Sequence, residues 1–336
     1  MRVAVDTMGG DLGSEFPIRG ALEALARKDN LEIVLLGPGD EVERQVQKIT
    51  GGDSALSARV HIEHAPEVIG MDESPVEAVR RKKQSTIMVG FDLVRRNRAD
   101  AVISAGNSGA TMAAAIRKLG RLKGVSRPGI ASFFPTLKKP VMIMDIGANV
   151  DCRPSHLLQF AIMASSCSRL LHSISTPRVG LLSIGEEAGK GNLLVKESHD
   201  LLAQSDLNFI GNVEGRDVYK GDVDVIICDG FVGNVALKVS EGLAEAAMQM
   251  LRVEITRTLQ ARIGYLLIRK AFARFRQRID YAEYGGAPLL GINGIGIICH
   301  GTSDILAYEN AVFVAADMIE NRVNEAIARA LVEYSG

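Results

Sequence analysis

The chain has 336 residues, 47% of them hydrophobic, with 39 basic side chains against 40 acidic ones. That is ample apolar material for a large core, and the near-cancelling charge excludes a chain-wide nucleic-acid footprint or an acidic tail. The four cysteines (Cys152, Cys167, Cys228, Cys299) have no CxxC spacing, which fits neither a zinc site nor a disulfide framework and suits a reducing compartment. No segment reaches the ~18 apolar residues of a membrane span, and MRVAVDTMGGD has no long apolar signal region, so a cytoplasmic protein is expected.

In chain order, VAVD (from Val3), EIVLLG, RVHIEH, DAVISA, PVMIMD, RVGLLSIG, DVIICD and GIGIICHG read as strands. They are too uniformly apolar to be half-exposed, which marks parallel strands covered on both faces and predicts a doubly wound α/β/α sandwich with a mostly parallel sheet. Ser74-Pro75-Val76-Glu77 reads as a helix start, with Ser as N-cap, Pro in the first turn and Glu closing a capping box, and the pattern predicts a helix on to about Asn97. No linker or short-period repeat divides the chain. The expected organisation is one α/β domain over 1–336 with a helical elaboration over 245–285.

That elaboration carries the one composition shift. Arg252, Arg257, Arg262, Arg269, Lys270, Arg274, Arg276 and Arg278 face a single acid, Glu254. At helical spacing Leu267, Ile268, Ala271, Phe272, Phe275 and Ile279 share one face, with Arg262, Arg269 and Arg276 opposite. Such a basic amphipathic helix suits packing on the core or a dimer partner, or contact with anionic lipid or an acidic protein.

At strand ends stand six glycine-bearing loops: TMGGD (from Thr7), AGNSGAT (Ala105), DIGANVD (Asp145), SIGEEAGKGN (Ser183), DGFVGN (Asp229) and HGTSD (His300). In an open parallel sheet these should converge beyond one edge, where glycine admits close backbone approach and helix starts favour an anion. Phosphate is the natural guest. Asn107, Ser108, Thr111, Asn149, Asn234 and Thr302 offer neutral hydrogen bonds; Lys190, with Lys238 one turn beyond Asn234, offers positive charge. Glycine and asparagine also serve strand-to-helix turns for conformational reasons alone. Neither GxxxxGK[ST] nor GxGxxG occurs, which weakens ATPase and dinucleotide readings. Asp6, Asp11, Asp145, Asp151 and Asp229 suit either a metal or helix capping, and His300 suits a general acid or a strand-end hydrogen-bonding group. The cysteines near this edge read as small apolar fillers, and Ser108 lacks the GxSxG elbow of an acylated nucleophile.

The strings VAVDTMGGD, SAGNSGAT, MDIGANVD, GLLSIGEEAGKGN, FIGNVEGRD, DVIICDGFVGNVALK and YGGAPLLGINGIGIICHGTSD, in this order and spanning the chain, resemble the bacterial phosphate acyltransferases of phospholipid synthesis (the PlsX family). The resemblance implies transfer of a long fatty acyl group from acyl carrier protein to inorganic phosphate, without a cofactor or metal. The acyl phosphate passes to a membrane glycerol-3-phosphate acyltransferase. It also implies a fold like that of phosphotransacetylases and isocitrate-dehydrogenase-like enzymes, a homodimer, and a cytoplasmic protein peripherally associated with anionic membrane. On this reading Lys190 anchors charge and Asn234 and Asp229 orient phosphate or thioester. Asn107, Ser108, Thr111, Asn149, Gly233 and Lys238 line the substrate site, with His300 as proton donor to the thiolate. Leu267, Phe272, Phe275 and Arg269 contact membrane or carrier. A coenzyme A-dependent short-chain phosphotransacetylase, a dehydrogenase of the related fold and a non-enzymatic membrane scaffold are the rival readings.

Overall fold

A computed structural model describes residues 1–51, 53–279 and 281–334; Gly52, Asp280, Ser335 and Gly336, together with the side chains of Ser54, Ala55, Ile279 and Tyr281, lie outside the described residues. The strands are β1 (Arg2–Asp6), β2 (Glu32–Gly37), β3 (Val60–His64), β4 (Ala101–Ser104), β5 (Gly129–Phe134), β6 (Val141–Met144), β7 (Val179–Leu182), β8 (Phe209–Val213), β9 (Val225–Ile227), β10 (Ala287–Leu290) and β11 (Ile295–Ile298). They form one 11-stranded sheet in the order β3-β2-β1-β4-β11-β10-β5-β6-β9-β7-β8. Period-2 alternation splits each apolar strand between two cores: Val3, Val5, Ile33 and Leu35 face one helical layer, Ala4, Val34, Leu36 and Val102 the other. The result is a doubly wound α/β/α sandwich.

The sheet is mostly parallel but contains a reversal. β3, β2, β1, β4 and β11 run parallel to one another. β6, β9, β7 and β8 do likewise. Between the two groups the pairs β11–β10, β10–β5 and β5–β6 are all antiparallel, so the second group points the opposite way. The six glycine loops therefore do not share one edge: those after β1, β4 and β11 lie at one end of the strands, those after β6, β9 and β7 at the other. The expectation of a single edge fails because β5 and β10 went unread. Their sequences start at Pro128-Gly129 and within Gly285-Gly286-Ala287-Pro288, which look like turns.

Two local expectations also change. β3 is an edge strand with His61 and His64 exposed and Glu63 half-buried, in keeping with polar and charged residues on unpaired edges. The helix foreseen from Ser74 to Asn97 is two helices, α4 (Pro75–Arg81) and α5 (Thr86–Arg95), and Ser74 makes no side-chain cap. The segment around Glu67 causes the break. Its carbonyl accepts from Thr86 N (3.2 Å), its carboxylate from Gln84 N (2.8 Å), and Lys82 Nζ reaches Val68 O (2.7 Å).

On the outer layers, α1 (Glu15–Arg27) packs with α11 (Ile305–Glu320), and α12 (Val323–Glu333) with α7 (Pro154–Leu171), while α4 and α5 flank α6 (Ser108–Leu119). α2 (Gly39–Thr50), α3 (Ser54–Ser57) and α8 (Leu193–Ala203) complete the body. The helical excursion is formed by the outer part of α9 (Gly230–Arg257), whose first turn is still packed in the body, and by α10 (Leu259–Ile279). α9 is 28 residues long, about 42 Å at ~1.5 Å per residue, and most of its length carries exposed side chains.

Candidate active site

Several of the polar residues singled out in the sequence build the loops. Asp145 at the end of β6 accepts from Ile130 N (3.1 Å), Gly147 N (3.3 Å), Ala148 N (3.0 Å), Asn149 N (2.7 Å) and Asn149 Nδ2 (2.8 Å). Burial pushes its carboxyl above the ordinary range while these donors pull back. Asn149 Nδ2 also donates to Pro128 O (2.8 Å), so both amide hydrogens are occupied. At the opposite end of the sheet Asp6 accepts from Ser104 Oγ (2.7 Å) and Met8 N (3.0 Å), and burial raises it too. Asp229 caps α9 through Val232 N (2.9 Å). Asn107 caps α6 through Ala110 N (3.0 Å) and reaches the carbonyls of Gly70, Met71 and Glu73 with Nδ2, while Thr111 Oγ1 donates to Asn107 O. Gly233 is buried where a Cβ would run into the Asp145 carbonyl, and at Gly230 it would stand 2.8 Å from Asn149 backbone. Asn107, Thr111, Asn149, Asp229 and Gly233 thus position the chain.

What they position is a cavity of about 1950 Å³, well above the ~300–1,000 Å³ of most small-molecule sites. It lies over the central strands, lined by Ile130, Ser132 and Phe134 of β5 and Ala287 of β10. Four of the six glycine loops contribute to its wall: Gly106 and Ser108, Ile146 and Gly147, Asn234, and His300 with Thr302. Because α9 starts at one end of the sheet and crosses to the other, it carries Asn234 beside Gly147 and Lys238 beside His300. The cavity then continues between α9 and α10, where Leu251, Ile255, Tyr265, Leu266, Phe272 and Phe275 line it. Ile255 lies 17 residues beyond Lys238 on the same helix, about 26 Å along its axis at ~1.5 Å per residue.

At the polar end, Lys238 Nζ contacts Glu241 Oε2 (2.8 Å) and His300 Nε2 (3.0 Å), and His300 Nδ1 contacts Thr302 Oγ1 (2.8 Å). An ammonium can only donate, so Nε2 accepts from Lys238, while Nδ1 faces both Thr302 Oγ1 and the Thr302 backbone N–H, which donates to it at 3.3 Å. Ser108 is exposed at the first position of α6, whose cap leaves the Ser108 and Gly109 amides without a protein acceptor among the described residues, an arrangement that favours anions. Lys190 is exposed and does not line this cavity. Its loop follows β7, two strands outward from β6. On α10, Phe272 is half-buried on the cavity wall, whereas Leu267 (82% exposed), Phe275 (50%) and Arg269 are exposed. Arg262 and Arg276 line the cavity instead of lying opposite it. Sequence reading missed Glu241, although its i,i+3 spacing from Lys238 was the available signal.

The sulfur groups are poor nucleophile candidates. Burial pushes Cys299, on the cavity wall, up to about 12 and Cys152 up to about 11, with Cys228 also well above the ordinary thiol range, which disfavours the thiolate. Among the described residues no group of three or more His, Cys, Asp or Glu side chains is arranged to hold a metal ion, and no helix is long and apolar enough to cross a membrane.

The architecture is that of solved phosphotransacetylases. A Streptococcus pyogenes phosphotransacetylase superposes with TM-score 0.62 at 18% identity, covering 95% of this chain and 94% of that one. The EutD phosphotransacetylase from Staphylococcus aureus gives 0.61 at 18%, covering 94% of each. At that identity the likeness is one of fold. A family model described as "Fatty acid synthesis protein" matches residues 1–326. The "Phosphate acyltransferase" of Geotalea uraniireducens is 50% identical over 333 residues, 99% of this chain and 95% of that protein. That of Geobacter sulfurreducens is 50% identical over 330 residues, covering 98% and 93%. The chain belongs to the phosphate acyltransferase family of fatty acid and phospholipid synthesis, and it is an acyltransferase acting on an acyl donor and phosphate.

Proposed function

We propose that this enzyme moves a long-chain fatty acyl group from acyl carrier protein to inorganic phosphate, forming acyl phosphate for glycerophospholipid synthesis by direct attack of phosphate on the thioester. The observation that carries this reading is the cavity itself, whose polar end at Ser108, Asn234, Lys238 and His300 continues into a long apolar passage between α9 and α10. A two-carbon acyl group has no use for such a passage.

Hydrogen phosphate is already an anionic nucleophile near neutrality, so the site has mainly to align it and to stabilise charge on the carbonyl oxygen. Lys238, Ser108 and the α6 amides supply donors, and Asn234 adds a neutral one from the facing helix. Attack forms the C–O bond, collapse breaks the C–S bond, and the proton of hydrogen phosphate ends on the sulfur of the released thiol. No acyl-enzyme and no cofactor enter. The exposed apolar and basic surface of the excursion, with Leu267 and Arg269 exposed outside the cavity lining, suits a cytoplasmic homodimer that touches anionic membrane and hands its product to a membrane glycerol-3-phosphate acyltransferase.

The test is trapping of acyl phosphate as hydroxamate after incubation with palmitoyl-acyl carrier protein and phosphate, with acetyl-coenzyme A as the alternative donor. Hydroxamate that requires phosphate and prefers the long-chain carrier thioester is expected. Preference for acetyl-coenzyme A, or an isolable acyl-enzyme, would sink the reading.

A further inference from the structure

We propose that Glu241 is a positioning residue which, together with His300, fixes the Lys238 ammonium so that one of its N–H bonds faces the thioester and phosphate. This rests on the function proposed above. A lysine ammonium has three donors. Glu241 Oε2 takes one at 2.8 Å and His300 Nε2 another at 3.0 Å, which leaves one for substrate. His300 is steadied in turn by Thr302 Oγ1, 2.8 Å from Nδ1. All four residues line the cavity. His300 then acts on the chemistry through the lysine, whose ammonium its Nε2 holds.

An i,i+3 ion pair on an open surface fixes little, because both side chains move freely and water screens the charge. This pair differs in two respects. The Glu241 side chain is only 18% exposed against 50% for Lys238, so the carboxylate is the sheltered partner. Lys238 is also tied to a residue 62 positions away, on the loop after β11 in the other parallel group. The chain Glu241–Lys238–His300–Thr302 thereby spans the join between the oppositely directed groups of strands.

The carboxylate has two opposed effects. It orients the lysine, and its negative charge repels the incoming phosphate. Glu241→Gln removes both, so kcat should fall about tenfold or more as the oxyanion donor loses its register. KM for phosphate should fall about threefold, since one unit of negative charge leaves the neighbourhood. Glu241→Asp keeps the charge and should recover part of kcat, with KM for phosphate returning towards wild type. A role confined to stability would lower the folded fraction and leave KM unchanged.

Steady-state kinetics with palmitoyl-acyl carrier protein and varied phosphate, on variants checked by thermal melting, decides it. Reduced kcat with reduced KM for phosphate in Glu241→Gln is the expected result. A kcat within twofold of wild type, or a raised KM for phosphate, overturns the proposal. Lys238→Ala in the same assay separates the two levels: wild-type turnover there removes the reading of the site as a whole, whereas loss there with an unaffected Glu241→Gln removes only the role of Glu241.

Discussion

The two ends of α9 obey opposite rules. Its first turn is wedged into the sheet, with Gly230 and Gly233 buried against the backbone of Asn149 and Asp145. Beyond about residue 242 the same helix leaves the body and presents Leu243 (68% exposed), Met250 and Val253 to its surroundings. One end is held by packing and the other by helical propensity and whatever covers it. A single helix thus carries the polar end of the cavity at its anchored end and exposed apolar side chains at its free end.

Glycine substitutions break this comparison most sharply. Gly233→Ala should cost about 3 kcal/mol or more, because the added methyl meets a backbone carbonyl that cannot yield, and chemical denaturation should show it together with lost turnover. Gly242→Ala, whose Cβ would meet nothing within 4 Å, should instead stabilise by roughly 0.5–1 kcal/mol. Equal effects at the two positions would mean that α9 is not anchored by its first turn.

The next largest effect concerns the two lysines. Lys238→Ala should reduce turnover about 10²-fold, as for loss of an oxyanion donor, while Lys190→Ala, outside the cavity, should stay within about threefold on the same argument. The reverse ranking would return the anchoring role to the loop after β7. On the free end, Leu267→Ser should weaken binding to anionic vesicles severalfold with turnover nearly unchanged. Phe272→Ser, on the cavity wall, should raise KM for the long-chain donor about threefold through lost apolar contact.

The smallest expected effect is a pH dependence. Burial places the Asp6 carboxyl above its ordinary value of 3.8. A raised folded-state value means a contribution to stability that is complete below the unfolded value and is lost as pH rises through the folded one. The stability of wild type relative to Asp6→Asn should therefore decline as pH rises from acid towards neutral, measurable by denaturant titration at several pH values. A difference independent of pH would mean that the carboxyl titrates alike in both states.

Much of this architecture is legible in the sequence because buried parallel strands write continuous apolar runs, as β1, β2, β4 and β9 do. β5 and β10 escape the same reading: they are flanked by Pro128-Gly129 and Gly285-Gly286, and their antiparallel pairing has no local signature. With them went the reversal of the sheet, and hence the position of the site over its middle. Asn107, Asn149 and Asp229 were visible as polar residues in loops, but sequence does not tell whether an amide is spent on its own backbone. Glu241 was hidden for a related reason, since its partner's second contact, His300, is remote in the chain.

The strand order also sets when the sheet can be completed on the ribosome. β4 pairs on one side with β1 and on the other with β11. The edge of β4 is thus open from the emergence of Ser104 until Ile295 follows, 191 residues later (295 − 104). At ~5–20 residues per second that is about 10–40 s, during which a buried-type strand has an unpaired edge. Since His300 follows directly on β11, the last central strand to be made both closes that edge and delivers the loop that meets Lys238.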